Sequence, residues 1–142
     1  MVTAAQLLDN KPRVLYSIEA EEPVFAAIQL LAEHGIGALL VMRGTQLVGI
    51  VSERDYARKV ILLGRSSSET PVWQIMSSPV LTVRSAQSVR ECMRVMTERR
   101  VRHLPVVEGE RVLGILSIGD LVRAVLEEQQ QTIEQLEHYI HN

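Results

Sequence analysis

Two short segments of this chain have residue types and a spacing that could hold a charged or hydroxyl-rich ligand. They are GIVSERD (49–55) and GILSIGD (114–120), and each places an aspartate three residues after a serine. This spacing is typical of a helix-capping box, in which hydroxyl and carboxylate accept hydrogen bonds from free backbone N–H groups. The same helix start presents unpaired N–H groups and the positive end of the helix dipole to a phosphate. The carboxylate can also accept hydrogen bonds from ribose hydroxyls, and both roles can coexist.

The residues around these segments bear on phosphate binding. The opening glycines, Gly49 and Gly114, predict close approach of a ligand to a strand end, because glycine has no side chain. Arg54 precedes the first aspartate, whereas Gly119 precedes the second, so the second segment lacks one phosphate-facing charge. The second half has instead a basic run over 99–103. That run fits either of two roles. It could be a solvated helix end, where the helix dipole stabilises positive charge, or it could contact phosphate, which a guanidinium group binds well.

Both segments belong to an internal repeat. A shift of 65 residues places 23–60 over 88–125 without a gap. The identical pairs include the glycine, the serine and the aspartate of the two segments, and the apolar pattern matches more widely. Two copies of one structural unit are therefore predicted.

Each copy predicts the order strand, helix, strand, strand, helix. The first strand is a β-branched run, the first helix has apolar residues at helical spacing, and the next two strands form a hairpin around a glycine. The predicted ranges are strands at 14–18 and 80–83, a helix with Pro23 at its first position and its counterpart from 89, hairpins at 38–51 and 104–116, and final helices from Ser52 and Ser117.

The polar segment 64–71 predicts a linker between the copies. The first repeat is accordingly assigned to 11–64 and the second to 71–126. Outside the repeats lie an N-terminal lead-in, 1–10, which favours a short helix over 2–9, and a C-terminal helix over 127–142. Apolar residues among the glutamines and glutamates of that helix suit exposure to solvent or to a partner. A unit of about 50 residues buries little surface, so the two copies should pack on each other.

Two ungapped copies that each end in Gly-apolar-apolar-Ser-x-x-Asp resemble the tandem CBS domains of a Bateman module, over about residues 11–126. The likeness is to stand-alone members of that family, which commonly end the first motif in Ser-Glu-Arg-Asp, as 52–55 does here. It implies an α+β fold in which two βαββα repeats pack around a pseudo-twofold axis. It also implies clefts between the repeats that bind AMP, ADP, ATP, NAD or S-adenosylmethionine, with AMP the expected ligand, and a regulatory role without catalysis.

The resemblance carries the family's ligand contacts to both copies. The motif aspartates hold ribose, the motif serines lie near ribose and phosphate, and a hydroxyl residue comes from each first strand. Residues at the start of each hairpin contact adenine through backbone and apolar groups, and basic residues face phosphate. The expected nucleotide-binding residues are Ser17, Gly37, Ala38, Leu39, Ser52, Arg54 and Asp55 in the first copy, and Thr82, Arg102, His103, Leu104, Pro105, Ser117 and Asp120 in the second.

Composition and the remaining reactive residues limit other functions. A net charge of −2, with 46 % hydrophobic and 23 % charged residues, argues against nucleic-acid binding and against disorder. No apolar run reaches the ~18 residues that span a membrane, and a cytoplasmic location is expected. Cys92 is the only cysteine and falls on an apolar helix face, which suits a packed thiol. The histidines give no metal-ligand set and no enzyme motif is present, so neither a metal nor a catalytic cofactor is expected.

Two functions stay open. The first is a sensor that binds an adenosine-containing ligand and regulates an unidentified effector protein. The second is a structural or interaction module whose pockets are vestigial and which acts through dimerisation. The presence of both Asp55 and Asp120 favours the sensor. A homodimer is expected because the helix faces of both copies cannot all be covered within one module of this size.

Overall fold

The fold is known from a computed structural model that describes residues 2–12 and 14–141. It divides into two compact units. Leu15–Leu81 forms the first unit, and the described residues before and after this range together form the second. Each unit contains one three-stranded sheet and its helices, so the predicted α+β class is confirmed.

The elements recur in the same order in both halves of the chain. In chain order they are α1 (Ala4–Asp9), β1 (Ser17–Glu19), α2 (Val24–His34), β2 (Ala38–Arg43), β3 (Gln46–Ser52), α3 (Glu53–Tyr56) with a π-helical turn (Ala57–Ile61), a 3₁₀ turn (Val72–Gln74), β4 (Val83–Arg84), α4 (Val89–Arg99), β5 (His103–Glu108), β6 (Arg111–Ser117) and α5 (Ile118–His141).

The two sheets have one topology. In the first unit β1 runs parallel to β2, and β2 pairs antiparallel with β3; β4, β5 and β6 repeat this arrangement in the second. Each hairpin turns at a glycine with positive φ, 64° at Gly44 and 60° at Gly109, a conformation that costs glycine no Cβ clash. Each hairpin also shifts register at one point, after Val41 and after Val106. These two positions are 65 residues apart, which is the offset of the sequence repeat.

Each unit buries its own apolar core. In the first unit the core is formed by the inner face of α2, the centre of the sheet and the 3₁₀ turn. The second unit buries the matching faces of α4 and the sheet, together with the start of α5 and two residues of α1. Cys92 is among the fully buried residues of α4, which confirms the prediction of a packed thiol.

In each unit a segment outside the βαββα pattern pairs with or packs beside the sheet. Helix α1 is capped by Thr3 and packs on the second unit, where the amide of Ala4 donates to the carbonyl of Gln87 at 2.8 Å. In the first unit the segment after the 3₁₀ turn pairs with the sheet. Ser77 of this segment exchanges two backbone hydrogen bonds with Ile50 of β3. The N-terminal lead-in is therefore a structural part of the second unit.

Several predicted boundaries were wrong for identifiable reasons. The first strands are shorter and later than 14–18 and 80–83, and Val14 is 56 % exposed, so that apolar run is only partly a core strand. Pro23 is the N-cap of α2 and has extended backbone angles, so it lies one residue outside the helix. The final helix of the second copy and the predicted C-terminal helix are one continuous helix, Ile118–His141, since there is no glycine or proline after Gly119 to stop it. The equivalent helix of the first copy ends before Gly64, whose φ is 66°.

Candidate nucleotide sites at two helix starts

The predicted residues of the first copy lie together at one end of the first sheet. Ala38, at the start of β2, pairs with Ser52, at the end of β3. The amide of Glu53 donates to the carbonyl of Gly37 at 3.1 Å, so the chain entering the sheet contacts the helix that leaves it. Ser17 begins β1 at the same end, because β1 is parallel to β2. The end of this sheet therefore presents backbone, hydroxyl and carboxylate groups together.

The second copy gathers its predicted residues in the same way. His103, at the start of β5, pairs with Ser117, at the end of β6. The amide of Ile118 donates to the carbonyl of Arg102 at 2.8 Å, which repeats the contact of the first copy 65 residues earlier. Thr82 comes immediately before β4 and is half-buried. Each unit thus has one candidate site made from its own residues.

Both motif serines cap their helices, and both motif aspartates complete the capping box. The amide of Asp55 donates to Ser52 Oγ at 3.1 Å, and the amide of Ser52 donates to Asp55 Oδ2 at 2.9 Å. In the second unit the amide of Asp120 donates to Ser117 Oγ at 3.2 Å, and the amide of Ser117 donates to Asp120 Oδ2 at 2.8 Å. The capping interpretation is therefore confirmed. The carboxylate side chains remain 15 % and 13 % exposed, respectively.

A lysine also contacts each motif aspartate, and neither lysine was among the predicted site residues. Lys59 Nζ lies 3.4 Å from Asp55 Oδ1, one helical turn away. Lys11 Nζ donates to Asp120 Oδ2 at 2.7 Å across a sequence separation of 109 residues. The spacing of four residues could have indicated the first contact. Nothing local in the sequence could have indicated the second.

The electrostatic environment keeps Asp120 ionised. Burial by itself raises the pKa of this carboxyl, because desolvation disfavours the charged form. The hydrogen bond and positive charge of Lys11, together with the amide of Ser117, more than offset that effect, so the pKa of Asp120 lies below its ordinary value. An anionic carboxylate that accepts hydrogen bonds is the group that ribose hydroxyls require.

Several of the residues that were predicted to contact adenine are buried. Leu39 and Leu104 are both 0 % exposed, and Ala38 and Pro105 are buried as well, so these residues belong to the cores of their units. The basic residues differ, since Arg54 and Arg102 are exposed.

The motif glycines serve the fold and not ligand approach, contrary to the prediction. A Cβ on Gly49 would lie against Met76 Sδ, 2.8 Å from Met76 Cγ and 3.1 Å from the carbonyl oxygen of Ser77. A Cβ on Gly114 would lie 2.7 Å from Leu8 Cδ2. Side chains of the protein itself thus fill the space that each glycine leaves free.

The described residues contain no other obvious chemical site. Over 2–12 and 14–141, no group of three or more His, Cys, Asp or Glu side chains could hold a metal ion. Within the same ranges no helix is both long enough and apolar enough to cross a membrane. Burial, followed by the charge of Glu91, raises the pKa of the Cys92 thiol, which keeps it protonated and unreactive.

Two βαββα units that each place a serine and an aspartate at a helix start define a repeated module with one candidate ligand site in each unit. The CBS domain family matches this chain twice, at residues 11–62 and 72–127, and the chain belongs to that family. CBS domain pairs are generally regulatory, ligand-binding modules.

Solved structures and curated proteins agree with this assignment. A structure of a protein with CBS domains from Burkholderia ambifaria is 51 % identical, with a TM-score of 0.86, and the match covers 90 % of this chain and 96 % of that one. A hexameric CBS-CP12 protein from bloom-forming cyanobacteria is 27 % identical, with a TM-score of 0.78, covering 86 % of this chain and 70 % of that one. A mitochondrial CBS domain-containing protein of Arabidopsis thaliana is 41 % identical in an alignment of 125 residues that covers 84 % of this chain and 61 % of the relative.

The chain spans only part of some relatives. It covers 61 % of the length of the Arabidopsis protein and 40 % of a protein from Thermofilum pendens that is 38 % identical. Those relatives therefore contain further residues that have no counterpart in the aligned region.

Proposed function

We propose that this chain is a nucleotide-responsive regulatory module whose two CBS repeats each bind an adenosine-containing ligand, with AMP as the first candidate. The observation that carries the proposal is the recurrence, in both units, of an ionisable aspartate and a serine beside the start of a hairpin. Asp55 and Asp120 would accept hydrogen bonds from the ribose hydroxyls. The exposed arginines, Arg54 and Arg102, would face phosphate.

The proposal does not include catalysis. Regulation requires that the nucleotide bind two states of the module with different affinities. Binding then shifts the module toward one state, and that state changes the behaviour of an effector protein. A cytoplasmic location is part of the same proposal, as is an effector that is a separate protein.

Calorimetry with AMP, ADP, ATP, NAD and S-adenosylmethionine tests the proposal. Binding of at least one of these ligands, weakened by roughly 10- to 150-fold at both sites in the double variant Asp55→Ala and Asp120→Ala, is the expected result. If none binds at millimolar concentration, the interaction-module function takes its place.

The two sites should differ in their response to phosphate. Arg54 supplies a permanent positive charge near the first site, and the aligned position of the second copy is Gly119. Arg54→Ala should therefore weaken AMP binding at one site and leave the other unchanged. Two sites with parental affinities in this variant would show that Arg54 is only a solvated residue of the first helical turn.

The second candidate function is an interaction module, and the C-terminal part of α5 favours it. Ile133, Leu136 and Ile140 lie on one helix face and are 48 %, 57 % and 74 % exposed. Homodimer formation, through this face or another, belongs to both candidate functions, and the cyanobacterial relative that forms a hexamer makes self-association reasonable. Sedimentation at tens of micromolar, with and without nucleotide, measures it. A monomer under both conditions would refute the homodimer.

A further inference from the structure

The chain has two lysines, Lys11 and Lys59, and both contact a motif aspartate. Each ammonium group also donates to a backbone carbonyl. Lys11 Nζ lies 2.8 Å from the oxygen of Ile115, and Lys59 Nζ lies 2.9 Å from the oxygen of Ile75. In both units the lysine is therefore held between the carboxylate and the main chain.

The two lysines reach this arrangement from unrelated positions. Lys59 follows Asp55 on the same helix, whereas Lys11 comes from the segment after α1. The repeat offset of 65 places Met76 opposite Lys11 and Ala124 opposite Lys59, so the contact is not a consequence of the duplicated sequence. The same charge pairing arises twice by different routes, which indicates a requirement of the site and not only of the fold.

A ribose held through both of its vicinal hydroxyls needs both carboxylate oxygens, and the lysine occupies one of them. Asp120 Oδ2 accepts from Lys11 and also from the amide of Ser117, and the side chain is only 13 % exposed. Asp120 Oδ1 lies 4.0 Å from Arg123 Nη1 and can accept one hydroxyl, so the second hydroxyl would have to take the place of the ammonium group at Oδ2. The lysine side chains are 34 % and 42 % exposed, so the displaced ammonium can move toward solvent or toward an anion.

We propose that each lysine exchanges partners when a nucleotide binds: it leaves the aspartate to the ribose and pairs with the phosphate of the same ligand. This inference rests on the proposed nucleotide-binding function. It predicts that the sites discriminate against adenosine, because a nucleoside displaces the lysine but supplies no new anion. At the second site the exchange also has a structural consequence. It releases Lys11 from the carbonyl of Ile115 in β6, so nucleotide binding would loosen the segment that follows α1.

The test compares adenosine with AMP on Lys11→Met and Lys59→Met by calorimetry. Methionine keeps the length and apolar stem of the side chain and removes the charge. Adenosine should bind about two- to fivefold more tightly, because a partly exposed ion pair no longer competes. AMP should bind about tenfold more weakly, because a charge-assisted hydrogen bond to phosphate is lost. Arg58→Met is the matched control, since this exposed neighbour of Lys59 should change neither affinity by more than about twofold.

Other outcomes overturn the inference. Equal weakening of adenosine and AMP would mean that the lysines only support the fold. Equal strengthening would mean that they compete with ribose but never meet phosphate. If the parent chain binds adenosine and AMP with the same affinity, the exchange is refuted while the proposed function stands. If the parent binds neither, the proposed function fails first.

A measurement on the parent chain keeps the test independent of how well the variants fold. With lysine labelled by ¹³C at Cε, the chain should give two lysine side-chain signals, assigned from the variants or from Lys→Arg changes. AMP should move both signals, and adenosine should move them in a different direction, because the ammonium then faces water and not phosphate. Lysine signals that do not respond to a saturating concentration of AMP would refute the exchange.

Discussion

Replacement of Asp120 by alanine separates ligand binding from helix capping. The substitution removes the acceptor of the Ser117 amide at 2.8 Å and of Lys11 Nζ at 2.7 Å. The lost cap costs about 1 kcal/mol of unfolding free energy. The lost ion pair adds at most about 1 kcal/mol, because Lys11 keeps the carbonyl of Ile115 and can be hydrated. We therefore expect the fold to lose about 1–2 kcal/mol.

The expected effect on nucleotide affinity is larger. Hydrogen bonds from ribose hydroxyls to a carboxylate are charge-assisted and contribute about 1.5–3 kcal/mol, which corresponds to roughly a 10- to 150-fold rise in Kd. Asp55→Ala should behave in the same way at the first site. Isothermal titration with AMP measures Kd and stoichiometry, and urea unfolding of the same samples measures stability.

Glu91→Ala provides a matched control for the cap. The amide of Glu91 donates to Ser88 Oγ at 3.1 Å, and the Ser88 hydroxyl donates to Glu91 Oε1 at 3.3 Å. The spacing is that of the motif, but this cap belongs to α4 and lies outside the proposed sites. The variant should lose up to about 1 kcal/mol of stability and bind AMP like the parent. If Asp120→Ala also binds AMP like the parent while it unfolds more easily, the carboxylate is only a cap.

Three further predictions concern stability. Gly49→Ala should cost about 1–3 kcal/mol, and more than Gly114→Ala, because the new Cβ meets the backbone of the 76–77 segment as well as a side chain; equal urea midpoints would contradict this. The pKa of Asp120 is lowered in the fold, so its stabilisation is present above the unfolded value of about 3.8 and is lost as pH falls through the folded value. The stability difference between the parent and Lys11→Met should therefore shrink from pH 6 to pH 3, and a constant difference would refute the pairing. Removal of 129–142 should change unfolding free energy by less than about 0.5 kcal/mol, since the described residues there are exposed; a clear loss of stability would show that the helix packs against something.

The sequence by itself determined those features that depend on neighbours along the chain. The hairpins follow from apolar strands around Gly44 and Gly109, and the helix starts follow from serine with aspartate three residues later. These interactions close within a few residues, so the residue types are enough to predict them. The ungapped repeat added the presence of a second copy of the unit and the position of both candidate sites.

Only the tertiary structure decided which distant groups complete those sites. The contact of Lys11 with Asp120 spans 109 residues and depends on where α1 packs, and no local pattern records that. The role of Gly49 was likewise decided by Met76, which fills the space that the sequence alone seemed to leave for a ligand. Local interactions define the motif, but packing determines what surrounds it, because chain segments far apart in sequence meet only when their apolar faces are buried together.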